Sequence, residues 1–404
     1  MKLPPAKWQR RPGMKELLEA LGGTAGDTRY VGGCVRDTLL DLEVSDVDLA
    51  TRLEPGEVIR RLKAARVKAV PTGLAHGTIT AIVAGKPVEV TTLRRDVSTD
   101  GRRATVAFTS DWREDAARRD FTINALSADP LTGELFDYFQ GLGDLEARRV
   151  RFIGDPLTRI AEDHLRILRF FRFHARFGAG EPDPEGLEAC SRRANDLMAL
   201  SRERIASELT RLLSLPAPVA TVKLMHARGI FAPFLPEVDE AGVRALGRLV
   251  AREALAGTGA DVPRRLAALL PRDPAVARSV GARLKLSNGW RARIEEYAAP
   301  GDRLRDPRAL AFCVGKERAV SLLLLDDVGD EELLAACDQL RGWEPPPFPL
   351  KGSDLIALGL PKGPLVSSTL PAIQRQWLEE RFPPPERLRE IARSAVDQAL
   401  RSSQ

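Results

Sequence analysis

Two hydrophobic rhythms run along the 404-residue chain, and the change from one to the other falls near residue 151. Upstream, residues 28–31, 47–50, 78–83 and 87–92 form short apolar runs bounded by turn-forming and charged residues, which predicts strands. Helical spacing separates them at 14–21, 35–40 and 55–63, so this third predicts one sheet with helices packed against it. Downstream, residues 157–177, 186–197, 202–213 and 217–227 repeat apolar positions at i, i+3 and i+4 over several turns. The chain is therefore expected to be α+β, with an N-terminal mixed segment followed by two thirds that are mainly helical. Proline and glycine at 182–184, 257–263, 271–274 and 345–352 supply turns between helices, and 343–349 reads as a linker.

At this length the chain should hold two to four domains. Hydrophobic residues at 44% and charged residues at 29% exclude a disordered or membrane-embedded class. No apolar run of membrane-spanning length and no signal-peptide pattern is present, and the expected compartment is cytoplasmic. Four cysteines, Cys34, Cys190, Cys313 and Cys337, lack the close spacing of a zinc or redox motif and read as free thiols. The 61 Lys and Arg barely outnumber the 56 Asp and Glu, so net charge says little about a phosphate-bearing partner and placement must decide. Arginines do cluster, at Arg102-Arg103, Arg118-Arg119, Arg148-Arg149 and in the series Arg166, Arg169, Arg172. Their planar fork suits phosphates and base edges, although a general bias toward arginine would produce the same abundance.

One constellation carries specific chemistry. Val31-Gly32-Gly33-Cys34-Val35-Arg36-Asp37 takes a strand through paired glycines into a helix, where backbone N–H groups and Arg36 can approach a triphosphate. Asp46 and Asp48 flank Val47; on a strand both carboxylates share one face while Val47 enters the core, which makes a Mg²⁺ site. Glu89, inside the apolar run Val88-Glu89-Val90, would carry an inward charge that needs a metal or cation. If its strand neighbours that of Asp46, Glu89 completes a three-carboxylate cluster for two Mg²⁺ ions, one activating a 3′-hydroxyl and one holding the leaving pyrophosphate. Paired glycines alone are usually a turn, and Asp-x-Asp alone is usually a capping pair. Their succession on this spacing resembles the polymerase-beta nucleotidyltransferase superfamily.

Further motifs make the resemblance closer, and residues 14–240 in particular resemble the class II tRNA nucleotidyltransferases, the bacterial CCA-adding enzyme and poly(A) polymerase family. Arg118-Arg119-Asp120-Phe121-Thr122-Ile123-Asn124 is similar to the ribose-recognition motif of that family, which implies that Arg119 and Asp120, with Asn124 beside them, select a ribonucleotide through its sugar hydroxyls. Read alone, this stretch is a salt-bridged helix start. Glu162-Asp163-His164-Leu165-Arg166 with Arg169 and Arg172 is similar to the nucleobase-reading motif; alone it would be a solvated charged stripe on one helix face. The resemblance implies that Asp163 and Arg166 read the base and that Arg169 and Arg172 meet phosphates. Cytosine and adenine both offer an amino donor beside a ring-nitrogen acceptor, which an Asp–Arg pair complements. Uracil and guanine reverse the pattern and would leave buried polar groups unpaired at about 1–3 kcal/mol each.

Residues 94–103 form a polar, aperiodic segment that reads as a mobile loop and resembles the family's flexible loop, without its usual tyrosine and proline. The stretch 201–209 resembles its neck helix, where Ser201 also reads simply as an N-cap. His76, His164, His174 and His226 form no hydrolase signature, and His76 reads as a turn residue. The resemblance divides the chain into a nucleotidyltransferase head (1–147), helical neck (148–215), body (216–342) and tail (343–404). It implies Mg²⁺ as cofactor, ATP and CTP as substrates, the acceptor arm and 3′ end of tRNA as partner, and no membrane. Addition of A alone and poly(A) synthesis remain alternatives, as does, in a different class, an RNA-binding protein without activity.

Overall fold

The computed structural model describes residues 1–100, 103–299 and 306–402, with side chains left undescribed from 96 to 106. Contacts divide the chain into two compact units, Met1–Val238 and Asp239–Gln404. In the first, α1 (Met14–Ala20) precedes β1 (Thr28–Val31), α2 (Gly33–Leu39), β2 (Val47–Thr51), α3 (Pro55–Ala64), β3 (Lys68–Gly73), β4 (Thr78–Val83) and β5 (Lys86–Thr92). A two-stranded ribbon, β6 (Arg94–Asp100) and β7 (Arg103–Phe108), follows, then α4 (Trp112–Ala117), β8 (Ser127–Ala128), β9 (Leu135–Phe136) and α5 (Gly141–Glu146). The unit ends in α6 (Pro156–Glu162), α7 (Arg166–Phe177), α8 (Pro184–Arg192), α9 (Arg202–Leu213) and α10 (Val219–Ala227).

Seven strands make one sheet in the order β3-β4-β5-β2-β1-β8-β9. Every neighbouring pair is antiparallel except β2 and β5, which run parallel with Val47 opposite Val88, Asp48 opposite Glu89 and Leu49 opposite Val90. Val47, Leu49, Val88 and Val90 are buried to within 1% exposure, which fixes this register: a one-residue slip would turn the acidic pair into the core. The same alternation sets Asp48 and Glu89 side by side on the other face.

Two sequence expectations change here. The segment read as an aperiodic loop forms the β6–β7 ribbon, with a register shift between Asp96 and Ser98; residues 101 and 102 of that segment lie outside the described residues. Ribbons of this kind are held by their own backbone pairing, so no apolar alternation need mark them. The single helix expected over 157–177 is two, because Asp163 takes an extended conformation (φ −152°, ψ 105°). Its Oδ1 accepts from the Leu165 amide at 3.1 Å, an Asx-type turn in which the side chain competes with the helical ladder.

An aromatic cluster locks α7 to the turn at Phe121. Phe152 stacks on Phe170 at 5.5 Å, and Phe121 packs against Phe152 at 5.0 Å and Phe173 at 5.2 Å. Phe170 and Phe173, i and i+3 on one helix, thus grip one turn, and the arginines that precede each of them, Arg169 and Arg172, are carried to a fixed place.

The second unit comprises α11 (Glu240–Leu255), α12 (Val262–Leu269), α13 (Pro274–Arg283), α14 (Asn288–Ala298), α15 (Pro307–Val314), α16 (Lys316–Leu324), α17 (Asp330–Leu340), α18 (Gly352–Ala357), α19 (Pro364–Glu379) and α20 (Pro385–Arg401). One apolar cluster gathers Leu323, Leu333 and Leu340; another gathers Leu355, Ile373, Trp377 and Leu388. The expected linker at 343–349 is neither helix nor strand, and its Trp343 packs on Phe382 at 5.6 Å.

Candidate active site

A cleft of about 550 Å³ in the first unit collects nearly all of the chemistry expected from the sequence. It is lined by Gly32, Gly33, Arg36, Asp37, Asp46, Asp48, Arg119, Asp120, Asn124, Asp163, Arg166, Arg169 and Arg172, together with Ser45, Phe173, Arg176 and Arg211. The volume suits a small organic ligand, and the excess of arginines over aspartates suits one with phosphates.

Its acidic end is built by β2. Asp46 is exposed just before the strand, and Asp48 is half-buried within it. Burial first, then the neighbouring charges of Glu89 and Asp46, push the Asp48 carboxyl up to about 6 against an opposing pull from Arg119. Like charges gathered with only a partial counter-charge from Arg119 fit a hard divalent cation. Glu89 differs from expectation: it is exposed on the open face of the sheet and does not line the cleft, so no buried charge there demands a partner. Among the described residues no three acidic, histidine or cysteine side chains already converge as a ligand set, so the expected three-carboxylate cluster is not preassembled. Two carboxylates still suffice for Mg²⁺, which keeps several waters and takes oxygens from phosphate.

The paired glycines sit beside this end. Gly32 has φ +71° and ψ −127°, a conformation that favours glycine, and a β-carbon there would come within 2.9 Å of the Arg119 guanidinium, whose side chain would have to shift. Arg36 is buried rather than free: its Nε donates to Asp37 Oδ1 at 2.7 Å, its Nη1 to Asn124 Oδ1, and it lies 4.0 Å over the Phe177 ring. Burial draws its pKa down, partly offset by Asp37. Asn124 Nδ2 in turn donates to Asp120 Oδ1 at 2.9 Å.

Asp120 is a hub. Its Oδ1 also accepts from the Phe121 amide at 2.9 Å, and its Oδ2 accepts from Arg169 Nε at 2.8 Å and Nη2 at 2.5 Å. Burial alone would raise this carboxyl, but the Arg169 charge and these hydrogen bonds outweigh it and hold it below the usual range. A carboxylate offers about four lone-pair directions and here all are used, so a ribose hydroxyl would have to displace a donor. Arg119 is less committed, reaching the Asn124 carbonyl at 3.4 Å and Asp115 Oδ2 at 3.5 Å.

Arg169 and Arg172, expected to face phosphates, are tied to carboxylates that the sequence did not single out as partners. Arg172 Nε donates to Glu208 Oε2 at 2.6 Å, and Glu208 Oε1 lies 3.9 Å from Arg169. Glu208 comes from α9, the neck-like helix, at whose start Ser201 stands at the N-cap position without a side-chain bond. Asp163 and Arg166 are not paired with each other. Arg204 of α9 donates through Nη2 to both oxygens of Asp163, at 3.0 and 2.8 Å. Arg166 Nη1 donates to Glu162 and, at 2.7 Å, to the Arg159 carbonyl. Arg159 bonds the Arg118 and Arg119 carbonyls at 2.6 Å each, fastening α6 to the Arg119 turn. No motif spacing points to Arg204, Arg159 or Glu208 as partners, because those residues stand behind the cleft lining and reach Asp163, the Arg119 turn and Arg172 only after folding. His76 is exposed in a short 3-10 turn outside the cleft.

Among the described residues no helix is long and apolar enough to cross a membrane. Residues 28–151 match the Poly A polymerase head domain, and residues 181–241 match the probable RNA and SrmB-binding site of polymerase A. The chain is 36% identical over 386 residues to a mitochondrial CCA tRNA nucleotidyltransferase 1 of Danio rerio, covering 92% of this chain and 88% of that protein. It is 30% identical over 382 residues to a CCA-adding enzyme of Limosilactobacillus fermentum, covering 90% of this chain and 92% of that one. The fold superimposes on the Bacillus stearothermophilus CCA-adding enzyme in complex with CTP with a TM-score of 0.75 at 26% identity, covering 97% of this chain and 99% of that chain. Shared sequence over nearly the whole length, on a fold that brings the Gly-Gly turn, Asp46, Asp48 and the arginine-rich helices to one cleft, places this chain in the class II tRNA nucleotidyltransferase family of CCA-adding enzymes and poly(A) polymerases.

Proposed function

We propose that this chain completes the 3′ end of tRNA, adding C and A from CTP and ATP with release of pyrophosphate. One observation carries the reading: a single cleft presents Asp46 and Asp48 at one end, arginines along its walls and an Asp–Arg pair that is not closed on itself. The reaction is in-line attack of the RNA 3′-hydroxyl on the α-phosphate. Asp46 and Asp48 would hold Mg²⁺, which supplies charge neutralisation at the triphosphate and acidifies the attacking hydroxyl. Glu89, next to Asp48 in the sheet, adds negative potential that draws a divalent ion.

The remaining roles belong to side chains. Gly32 and Gly33 let backbone amides approach the phosphates, and Arg119 stands between that turn and the sugar. Arg36, Asp37, Asn124, Asp120, Arg169, Glu208 and Arg172 form a continuous chain of hydrogen bonds and ion pairs, buried except at the partly exposed Arg169, that fixes the walls. In this reading Arg169 and Arg172 shape the positive wall through their partners and give the phosphates charge rather than free donors. Asp163 accepts from the amino group of cytosine or adenine while Arg166 donates to the ring nitrogen. The test is purified protein, tRNA lacking CCA, and labelled CTP or ATP, separately and together. Incorporation of two C residues from CTP alone and of A only when both are present is the expected pattern. Failure with CTP alone would indicate A-only addition, and long A tails a poly(A) polymerase.

A further inference from the structure

We propose that Arg204 is a specificity-determining positioning residue: from α9 it holds Asp163 in the orientation that accepts an amino group and keeps it from closing on Arg166. The inference rests on the reading of Asp163 and Arg166 as the base-recognition pair. Three residues apart, an aspartate and an arginine ordinarily attract each other, and a closed pair would leave no free acceptor or donor for a base. Here each is drawn away by its own counter-ion. Arg204 Nη2 contacts Asp163 Oδ1 at 3.0 Å and Oδ2 at 2.8 Å, and the Leu165 amide takes a further position on Oδ1 at 3.1 Å. Of the roughly four lone-pair directions of the carboxylate, one on Oδ2 is left over. Arg166 is turned the other way by Glu162 and by the Arg159 and Arg118 carbonyls.

The break between α6 and α7 makes this necessary. Asp163 sits in extended backbone between the two helices, so no helical ladder fixes its side chain. Arg204, arriving from 41 residues along the chain, supplies the constraint. Without it the carboxylate can rotate toward Arg166 or present its edge to a uracil or guanine carbonyl through water, and discrimination weakens.

The experiment measures kcat and KM for CTP, ATP, UTP and GTP on tRNA acceptors with Arg204→Ala, Arg204→Lys and Asp163→Ala, together with thermal midpoints. Arg204→Ala should raise KM for CTP and ATP about ten-fold and raise UTP incorporation relative to CTP by a similar factor, a loss of the size expected for one well-placed polar contact. Arg204→Lys, which keeps a donor and the aliphatic stem, should recover part of the selectivity. Because the pair is half-exposed, both variants should stay folded with midpoints within a few degrees of the parent. Unchanged selectivity in Arg204→Ala, with or without a lower midpoint, overturns the inference if Asp163→Ala does relax nucleotide choice. If Asp163→Ala also leaves UTP excluded, the base-reading assignment itself fails and the role of Arg204 falls with it.

Discussion

Replacing Asp120 with asparagine is isosteric, yet it should destabilise the first unit and disturb the whole cleft. Asp120 is 8% exposed and accepts four hydrogen bonds, two of them charge-assisted from Arg169 at 2.8 and 2.5 Å. An amide can still accept from the Phe121 and Asn124 nitrogens, but its NH₂ group then meets the Arg169 guanidinium, donor against donor. Breaking one side of a buried ion pair typically costs about 3–5 kcal/mol. Glu208 Oε1, 3.9 Å from Arg169, retains part of the compensation, so roughly 2–4 kcal/mol is expected. For a folding unit of about this size that is roughly 5–15 °C in the transition midpoint.

The sign of the pH dependence follows from the depressed carboxyl. Its folded pKa lies below the unfolded one, so the stabilisation is present above the unfolded value of about 3.8 and is lost as pH falls through the folded value. The gap between parent and variant should be full at pH 6–8 and narrow below about pH 4. Calorimetry on the full chain resolves this, because two compact units need not melt together. Turnover should fall as well, since Arg169 and Asn124 lose their common anchor. A midpoint within 2 °C of the parent at pH 7 would refute the hub assignment.

Asp48 offers a second pH signature. With its carboxyl raised to about 6, activity should drop as pH falls through that region, and higher Mg²⁺ should move the midpoint lower because the ion competes with the proton; a midpoint indifferent to Mg²⁺ would count against it as a ligand. Its raised pKa favours the folded state only while protonated, fully below about 3.8 and lost as pH rises through about 6, so Asp48→Asn should be inactive yet melt higher than the parent at pH 8 in chelator. Phe152→Ala empties a site 2% exposed between Phe121 and Phe170 and should lower unfolding free energy by about 3–5 kcal/mol in denaturant titrations; less than about 1 kcal/mol would mean the aromatic cluster does not tie α7 to the Phe121 turn. Gly32→Ala forces a side chain onto backbone at φ +71° and toward Arg119, at about 1–3 kcal/mol of strain, and should raise KM for nucleotide; an unchanged KM would separate that turn from substrate binding.

Local pattern was enough to reveal much of this. The strands at 28–31 and 78–83 and the helix at 202–213 lie where apolar periodicity puts them, since burying one face of a strand or helix is dictated by spacing along the chain. The acidic pair flanking Val47, the two glycines and the Asp163–Arg166 spacing were likewise legible, because chemistry at i, i+2 or i+3 is written in consecutive residues. The sequence also suggested that Glu89 lies near Asp48, but it implied a buried charge where the sheet leaves an open face.

Tertiary structure alone decided which charges meet across long stretches of the chain. Arg169 finds Asp120 across 49 residues, Asp163 finds Arg204 across 41, and Arg172 finds Glu208 across 36. The sequence holds many arginines and carboxylates of equal intrinsic propensity, and nothing local distinguishes one partner from another. The parallel register of β2 and β5, the grip of four phenylalanines and the break at Asp163 bring particular pairs within reach. Ion pairing weakens with distance and strengthens with burial, so for these distant pairs it is specified by the packed fold and not by the order of residues.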